Sequence, residues 1–128
     1  MPHPTEHEDP RRPLSPQESE ALADSMRAFG TGSRLRLLWA MLGGELTVDD
    51  LATATGLEAS ATSHQLRLLR QARLVTVRRS GRHAFYRLHD HHVAELLTAI
   101  RHHHEHVQPP EATTIATAPQ RATDSGRP

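Results

Sequence analysis

The chain has no cysteine among its 128 residues. That excludes disulfides, zinc fingers and every thiolate metal site, and leaves nitrogen, oxygen or thioether atoms as the only metal ligands. Lysine is missing too: all fifteen basic residues are arginine, a bias that follows from GC-rich coding and carries no functional weight. No apolar run approaches the roughly 20 residues of a membrane span. The N-terminus, with Glu6, Glu8 and Asp9 and no apolar stretch, lacks a signal-peptide pattern. A soluble, cytoplasmic protein with no membrane partner is therefore expected. At this length one domain with one modest core is expected, completed by a second copy of the chain.

Net charge is also absent, since fifteen basic and fifteen acidic residues cancel, but the charges are segregated along the chain. From Ala59 to His89 there are seven arginines and no carboxylate, whereas acids gather at Glu18, Glu20, Asp24, Asp49 and Asp50. One segment is thus a basic patch of the kind that nucleic acid recognises. Residues 1–16 carry five prolines among charges, and residues 108–128 mix proline with Thr, Ala, Ser and Gly. Both read as disordered tails flanking a folded domain over 17–107.

Inside that domain, Leu22, Met26 and Phe29, then Leu35, Leu38, Trp39 and Leu42, follow helical spacing. A short helix over 48–54, a turn at Thr55-Gly56-Leu57 and a second helix over 58–71 make a helix-turn-helix. Residues 74–79 and 83–88 are β-rich runs joined through Ser80-Gly81-Arg82, a hairpin or wing. A last helix is expected from Asp90, an acceptable N-cap, to about residue 106, with Val93, Leu96, Leu97 and Ile100 as its apolar stripe. The fold class is mainly α with a β-hairpin wing: a winged helix-turn-helix, acting as a homodimer.

On the second helix of the helix-turn-helix, Thr62, Leu66 and Leu69 share one face while Ser60, Ser63, His64 and Arg67 share another. Hydroxyls, an imidazole and a guanidinium on a free face suit base edges and phosphates in a major groove. Arg78, Arg79 and Arg82 on the hairpin are placed for flanking phosphates. Double-stranded operator DNA is the expected partner. The run Ser63-His64-Gln65-Leu66-Arg67-Leu68-Leu69, followed by Leu74-Val75, Ser80-Gly81-Arg82 and Tyr86-Arg87-Leu88, resembles the core of the ArsR/SmtB family of metal-sensing repressors, over about residues 18–107. The stretch Thr31-Gly32-Ser33-Arg34-Leu35 departs from that pattern, in which a proline usually precedes the Ser/Thr-Arg pair at this helix start.

Eight of the eleven histidines lie between His83 and His106. His92 and His103 return to within about 20° of one helix face, with His106 one turn further on. At ~1.5 Å rise per residue they are roughly 16 Å apart, against metal–nitrogen bonds of about 2 Å, so one helix cannot close a site over both. Two such helices packed antiparallel about a two-fold axis would bring Asp90 and His92 of one subunit against His103 and His106 of the other, giving two equivalent sites. The same spacing marks the interhelical site of the zinc- and nickel/cobalt-sensing branches of the family, and the resemblance assigns Asp90, His92, His103 and His106 as metal ligands. His89, His91, His102 and His104 lie outside the pattern. Three histidines and one carboxylate satisfy zinc. Nickel or cobalt could take the same ligands with two more donors, which His3 and His7 of the N-terminal tail offer, and the balance leans slightly to that pair.

The resemblance implies a repressor that binds its operator as the metal-free dimer and dissociates when Ni(II)/Co(II) or Zn(II) occupies the interhelical sites. The alternative is a winged-helix regulator not controlled by metal. No enzymatic activity and no small organic substrate are expected, because the ligand set is filled and leaves no open position for metal-assisted hydrolysis.

Overall fold

The computed structural model describes residues 9–107, which divide after His89 into two units. The first contains helix α1 (Pro16–Ala28), helix α2 (Gly32–Ala40), a single 3-10 turn (Met41–Gly43), strand β1 (Leu46–Thr47), helix α3 (Val48–Thr55), helix α4 (Ala59–Gln71), strand β2 (Val75–Ser80) and strand β3 (His83–Leu88). The second is helix α5 (His91–Val107).

Three of the four helix starts in the first unit carry a side-chain cap; α4, whose N-cap is Glu58, has none. Ser15 and Glu18 form a reciprocal capping box with Pro16 in the first turn of α1, so this helix begins at the edge of the segment expected to be a tail. Proline at that position has no amide to leave unsatisfied and its φ is already helical. Thr31 accepts from the Arg34 amide at the start of α2, and Thr47 forms a second capping box with Asp50 at the start of α3. Gly56, at φ 79°, closes α3 in the left-handed conformation and sets the turn of the helix-turn-helix.

The core of the first unit is made where α2, α3 and α4 pack on one another. Leu37, Leu38, Leu51, Leu66 and Leu69 are fully buried, with Met41, Leu74, Val75 and Leu88 nearly so. Burial of each leucine contributes about 1.5–3 kcal/mol. Thr62, the one buried polar side chain among the described residues, satisfies its hydroxyl by donating to the Glu58 carbonyl at 2.8 Å. α1 buries no residue: Leu22 and Met26 stay 50% and 63% exposed, so this helix carries an apolar stripe without a cover.

The sheet is antiparallel with strand order β1-β3-β2. Ser80 pairs with His83, leaving Gly81-Arg82 as a two-residue turn with Gly81 at φ 60°, the arrangement of a type II′ hairpin whose twist matches its strands. β1 was not anticipated: it has only two residues, pairing Leu46 with Tyr86 and Thr47 with Phe85, and so has no alternation to read. Between α4 and β2, Leu74 donates to the Leu69 carbonyl and Arg73 to that of Arg70. This is a Schellman ending with both leucines buried. Its left-handed position, at φ 63°, is held by Arg73.

In the second unit, Asp90 Oδ1 accepts from the amides of His92 at 3.0 Å and Val93 at 3.2 Å, making Asp90 the N-cap of α5. Val93 and Leu97 are the buried positions of the helix, whereas Leu96 and Ile100 are 44% and 53% exposed. Among the described residues no helix is long and apolar enough to cross a membrane.

Candidate nucleic-acid interface and metal donors

α4 divides as its periodicity predicts. Thr62, Leu66 and Leu69 are buried on one side, and on the other Ser60, His64 and Arg67 are exposed and Ser63 is half-buried. The exposed row repeats at i, i+3, i+4 and i+7, one continuous strip along the helix. Within it an Arg67 guanidinium nitrogen lies 3.5 Å from His64 Nδ1, a marginal contact that leaves both side chains open to solvent.

The orientation of this helix depends on a residue outside it. Arg34 Nε donates to Gln65 Oε1 at 2.9 Å, and its guanidinium also donates to the Ala28 carbonyl at 3.2 Å, with the Arg27 carbonyl at 3.5 Å. One side chain from the first turn of α2 therefore satisfies the C-terminal carbonyls of α1 and grips the flank of α4. Nothing in the sequence marks this link, because its partners are 31 residues apart.

The three arginines assigned to the wing are not equivalent. Arg78 makes a bidentate pair with Glu45, at 3.0 and 2.7 Å, and lies 4.8 Å over the Phe85 ring on the neighbouring strand. The Arg78 guanidinium holds the Glu45 carboxyl below the usual glutamate range, and Glu45 in turn raises Arg78. The chain segment free of carboxylates is thus met in space by one from just before β1. Arg79 and Arg82 are exposed and have no hydrogen-bond or ion-pair partner among the described residues.

On α5 the donor atoms sit on an exposed surface. Asp90 Oδ1 lies 3.7 Å from His92 Nδ1, so one pair of assigned ligands is already adjacent and composed of the nitrogen and oxygen donors that divalent transition ions accept. His103 and His106 are exposed eleven and fourteen residues beyond His92. The His106 ring meets His102 edge-on, with centroids 4.2 Å apart. His3 and His7 lie outside the described residues. A combination absent from the sequence reading also emerges: ligand atoms of His91, His92 and Glu95 all lie within 4.8 Å of one another.

Comparison with known proteins fits this geometry. Residues 31–77, which span α2 through the middle of β2, match the family described as bacterial regulatory protein, arsR family. The chain is 46% identical over 98 residues to the HTH-type transcriptional regulator NmtR of Mycobacterium tuberculosis, covering 77% of this chain and 82% of that one. It is 43% identical over 90 residues to a transcriptional repressor SmtB homolog of Synechocystis, covering 70% and 68%. Among solved structures, a homodimeric winged helix-turn-helix DNA-binding domain from Mycobacterium bovis superposes with a TM-score of 0.66 at 30% identity, covering 76% of this chain and 94% of that one. The arsR match across the helix-turn-helix, together with close relatives that share most of their length with this chain, makes it a member of the ArsR/SmtB family of bacterial transcriptional regulators.

Proposed function

We propose that the protein is a metal-responsive transcriptional repressor that binds operator DNA as a metal-free homodimer and leaves it when Ni(II)/Co(II), or Zn(II), is held between the α5 helices of two subunits. The observation that carries the DNA half is the two-sided α4, whose core face is fully buried while Ser60, Ser63, His64 and Arg67 line the other. Ser60, Ser63 and His64 would meet base edges. Arg67, Arg79 and Arg82 would meet phosphates, with Arg78 stiffening the wing through Glu45.

Two apolar stripes support the homodimer. Leu22 and Met26 on α1, and Leu96 and Ile100 on α5, each present side chains a third or more exposed, which a second copy would cover. Asp90, His92, His103 and His106 would hold the ion, which when bound supplies a cross-link of about 2 Å bonds between two helices. A dimer geometry set at α5 then decides whether two α4 helices can enter successive major grooves, about 34–36 Å apart. His3 and His7 would complete a six-coordinate ion. The protein's place would be the cytoplasm, with its operator.

Fluorescence anisotropy with labelled DNA from upstream of the protein's own gene tests this. Tight binding without metal, weakened by stoichiometric Ni(II), Co(II) or Zn(II) and restored by chelator, is expected, and the metal effect should vanish in His103→Ala. Binding indifferent to metal would favour a regulator not controlled by metal.

A further inference from the structure

The ligand pattern assigned to the dimer uses one residue from the first turn of α5, His92, beyond its cap. That turn holds more donors than the pattern needs. On a helix advancing about 100° per residue, His91 and His92 project about 100° apart and Glu95 falls between them, about 40° from the first and about 60° from the second. The three side chains converge accordingly: their ligand atoms lie within 4.8 Å of one another, and the two imidazoles face each other with centroids 4.2 Å apart and planes inclined by 34°.

We propose that His91, His92 and Glu95 form a second metal site, complete within one subunit, for a divalent transition ion such as zinc, nickel or copper. Ligands on a tetrahedral ion at about 2.05 Å are about 3.3 Å from each other, so the trio must close by at most about 1.5 Å. All three side chains are exposed, and rotation about their χ angles can make that movement without disturbing the core. Little has to be given up: His92 Nδ1 lies 3.7 Å from Asp90 Oδ1, beyond hydrogen-bond reach. The Glu95 carboxylate has no hydrogen-bond or ion-pair partner among the described residues, in contrast to Glu105 at the other end of the helix, which pairs with Arg101 at 3.5 Å.

The charge balance is also favourable. The N-terminal end of a helix opposes a cation, and Glu95 supplies the compensating negative charge one turn in. Two imidazoles and one carboxylate suit ions of borderline softness. Three protein ligands leave at least one position to water, so the site is open to ligand exchange, unlike the four-ligand set between two helices. His92 belongs to both sets. Where the reading in the previous subsection holds, the local site can take up an ion in an unpaired subunit and compete with the interhelical set for that histidine.

The test uses the full-length chain carrying His103→Ala and His106→Ala, which removes the interhelical set without touching the first turn. Zinc is titrated in while the ring nitrogens of the histidines are followed by long-range proton–nitrogen correlation spectra. One zinc per chain with shifted His91 and His92 ring nitrogens is expected. Adding His91→Ala or Glu95→Gln should weaken that binding about tenfold or more, at least what loss of a group supporting a metal ligand costs. Unmoved His91 resonances at saturating zinc, or residual affinity indifferent to both substitutions, would overturn the proposal. The repressor reading fails separately, by a wild-type protein whose DNA affinity ignores metal.

Discussion

Arg34 is the residue whose loss should be felt furthest from where it sits. Replacing it with alanine removes the 2.9 Å bond to Gln65 and the 3.2 Å bond to the Ala28 carbonyl; the 3.5 Å approach to the Arg27 carbonyl adds little. Hydrogen bonds involving a charged group contribute about 1.5–3 kcal/mol each. The guanidinium is half-buried, so water replaces part of what is lost, and a net destabilisation of about 2 kcal/mol is expected. For a domain of this size that lowers Tm by roughly 8–16 °C, measured at fixed protein concentration because a dimer's Tm depends on it. Arg34→Lys should recover little, since a point charge cannot serve a carbonyl of α1 and an amide of α4 together. Gln65→Ala removes only the α4 end, and the double-mutant cycle between the two should give a coupling of about 1 kcal/mol. DNA affinity should fall more than stability alone explains, because α4 loses its lateral anchor. An Arg34→Ala protein within about 0.5 kcal/mol of wild type, or a coupling near zero, would show that the contact is incidental.

Other substitutions probe single features. Arg73→Gly should raise stability by about 0.5–1 kcal/mol, because glycine takes the left-handed conformation that costs arginine about 1–2 kcal/mol; a lowered Tm would mean that the Arg73 side chain contributes more than its backbone costs. Arg82→Ala should reduce the slope of log affinity for DNA against log salt by about 1, whereas Arg78→Ala should leave that slope nearly unchanged, its guanidinium being already neutralised by Glu45. Glu45 has a pKa lowered below its ordinary 4.5, so its pair with Arg78 is at full strength above pH 4.5 and is lost as pH falls through the lowered value. Acid titration followed by circular dichroism should accordingly show a shallower loss of stability below pH 4.5 in Glu45→Gln than in wild type.

Periodicity made α4 and its two faces visible because a buried helix face must repeat every three or four residues, and Thr62, Leu66 and Leu69 do so. β3 was equally legible, a β-rich run that begins just after a glycine turn. What escaped was whatever depends on three-dimensional proximity. The segment from Ala59 to His89 reads as uniformly basic, yet the fold brings Glu45 against Arg78, 33 residues away. β1 exists only because Tyr86 and Phe85 offer it a partner. The Ser15-to-Glu18 capping box was in plain view, but the surrounding prolines gave that stretch the composition of a tail. At the metal donors the limit was different: helical arithmetic placed His92 and His103 on one face from backbone geometry alone, whereas the convergence of His91, His92 and Glu95 depends on side-chain rotamers, which spacing does not determine.

The proposed switch also makes a demand that can be checked without knowing its structural path. If an ion held by Asp90, His92, His103 and His106 lowers the affinity of the dimer for DNA by some factor, DNA must lower the affinity for that ion by the same factor, whatever residues transmit the effect. Couplings of this kind are typically about 1–3 kcal/mol, or 5- to 150-fold. Arg34 gives the expectation a structural handle, because it joins the end of α1, a helix whose Leu22 and Met26 lack a cover, to the flank of the DNA-reading helix. In Arg34→Lys the dimer can still bind metal and DNA, but α4 is less firmly tied to α1, so both ratios should shrink together while metal affinity of the free dimer stays near wild type. Isothermal titration of metal into free and DNA-bound dimer, in wild type and Arg34→Lys, reads all four affinities. Equal ratios that contract together support a two-state dimer biased from both ends; a metal effect on DNA binding that persists undiminished in Arg34→Lys would place the coupling route elsewhere.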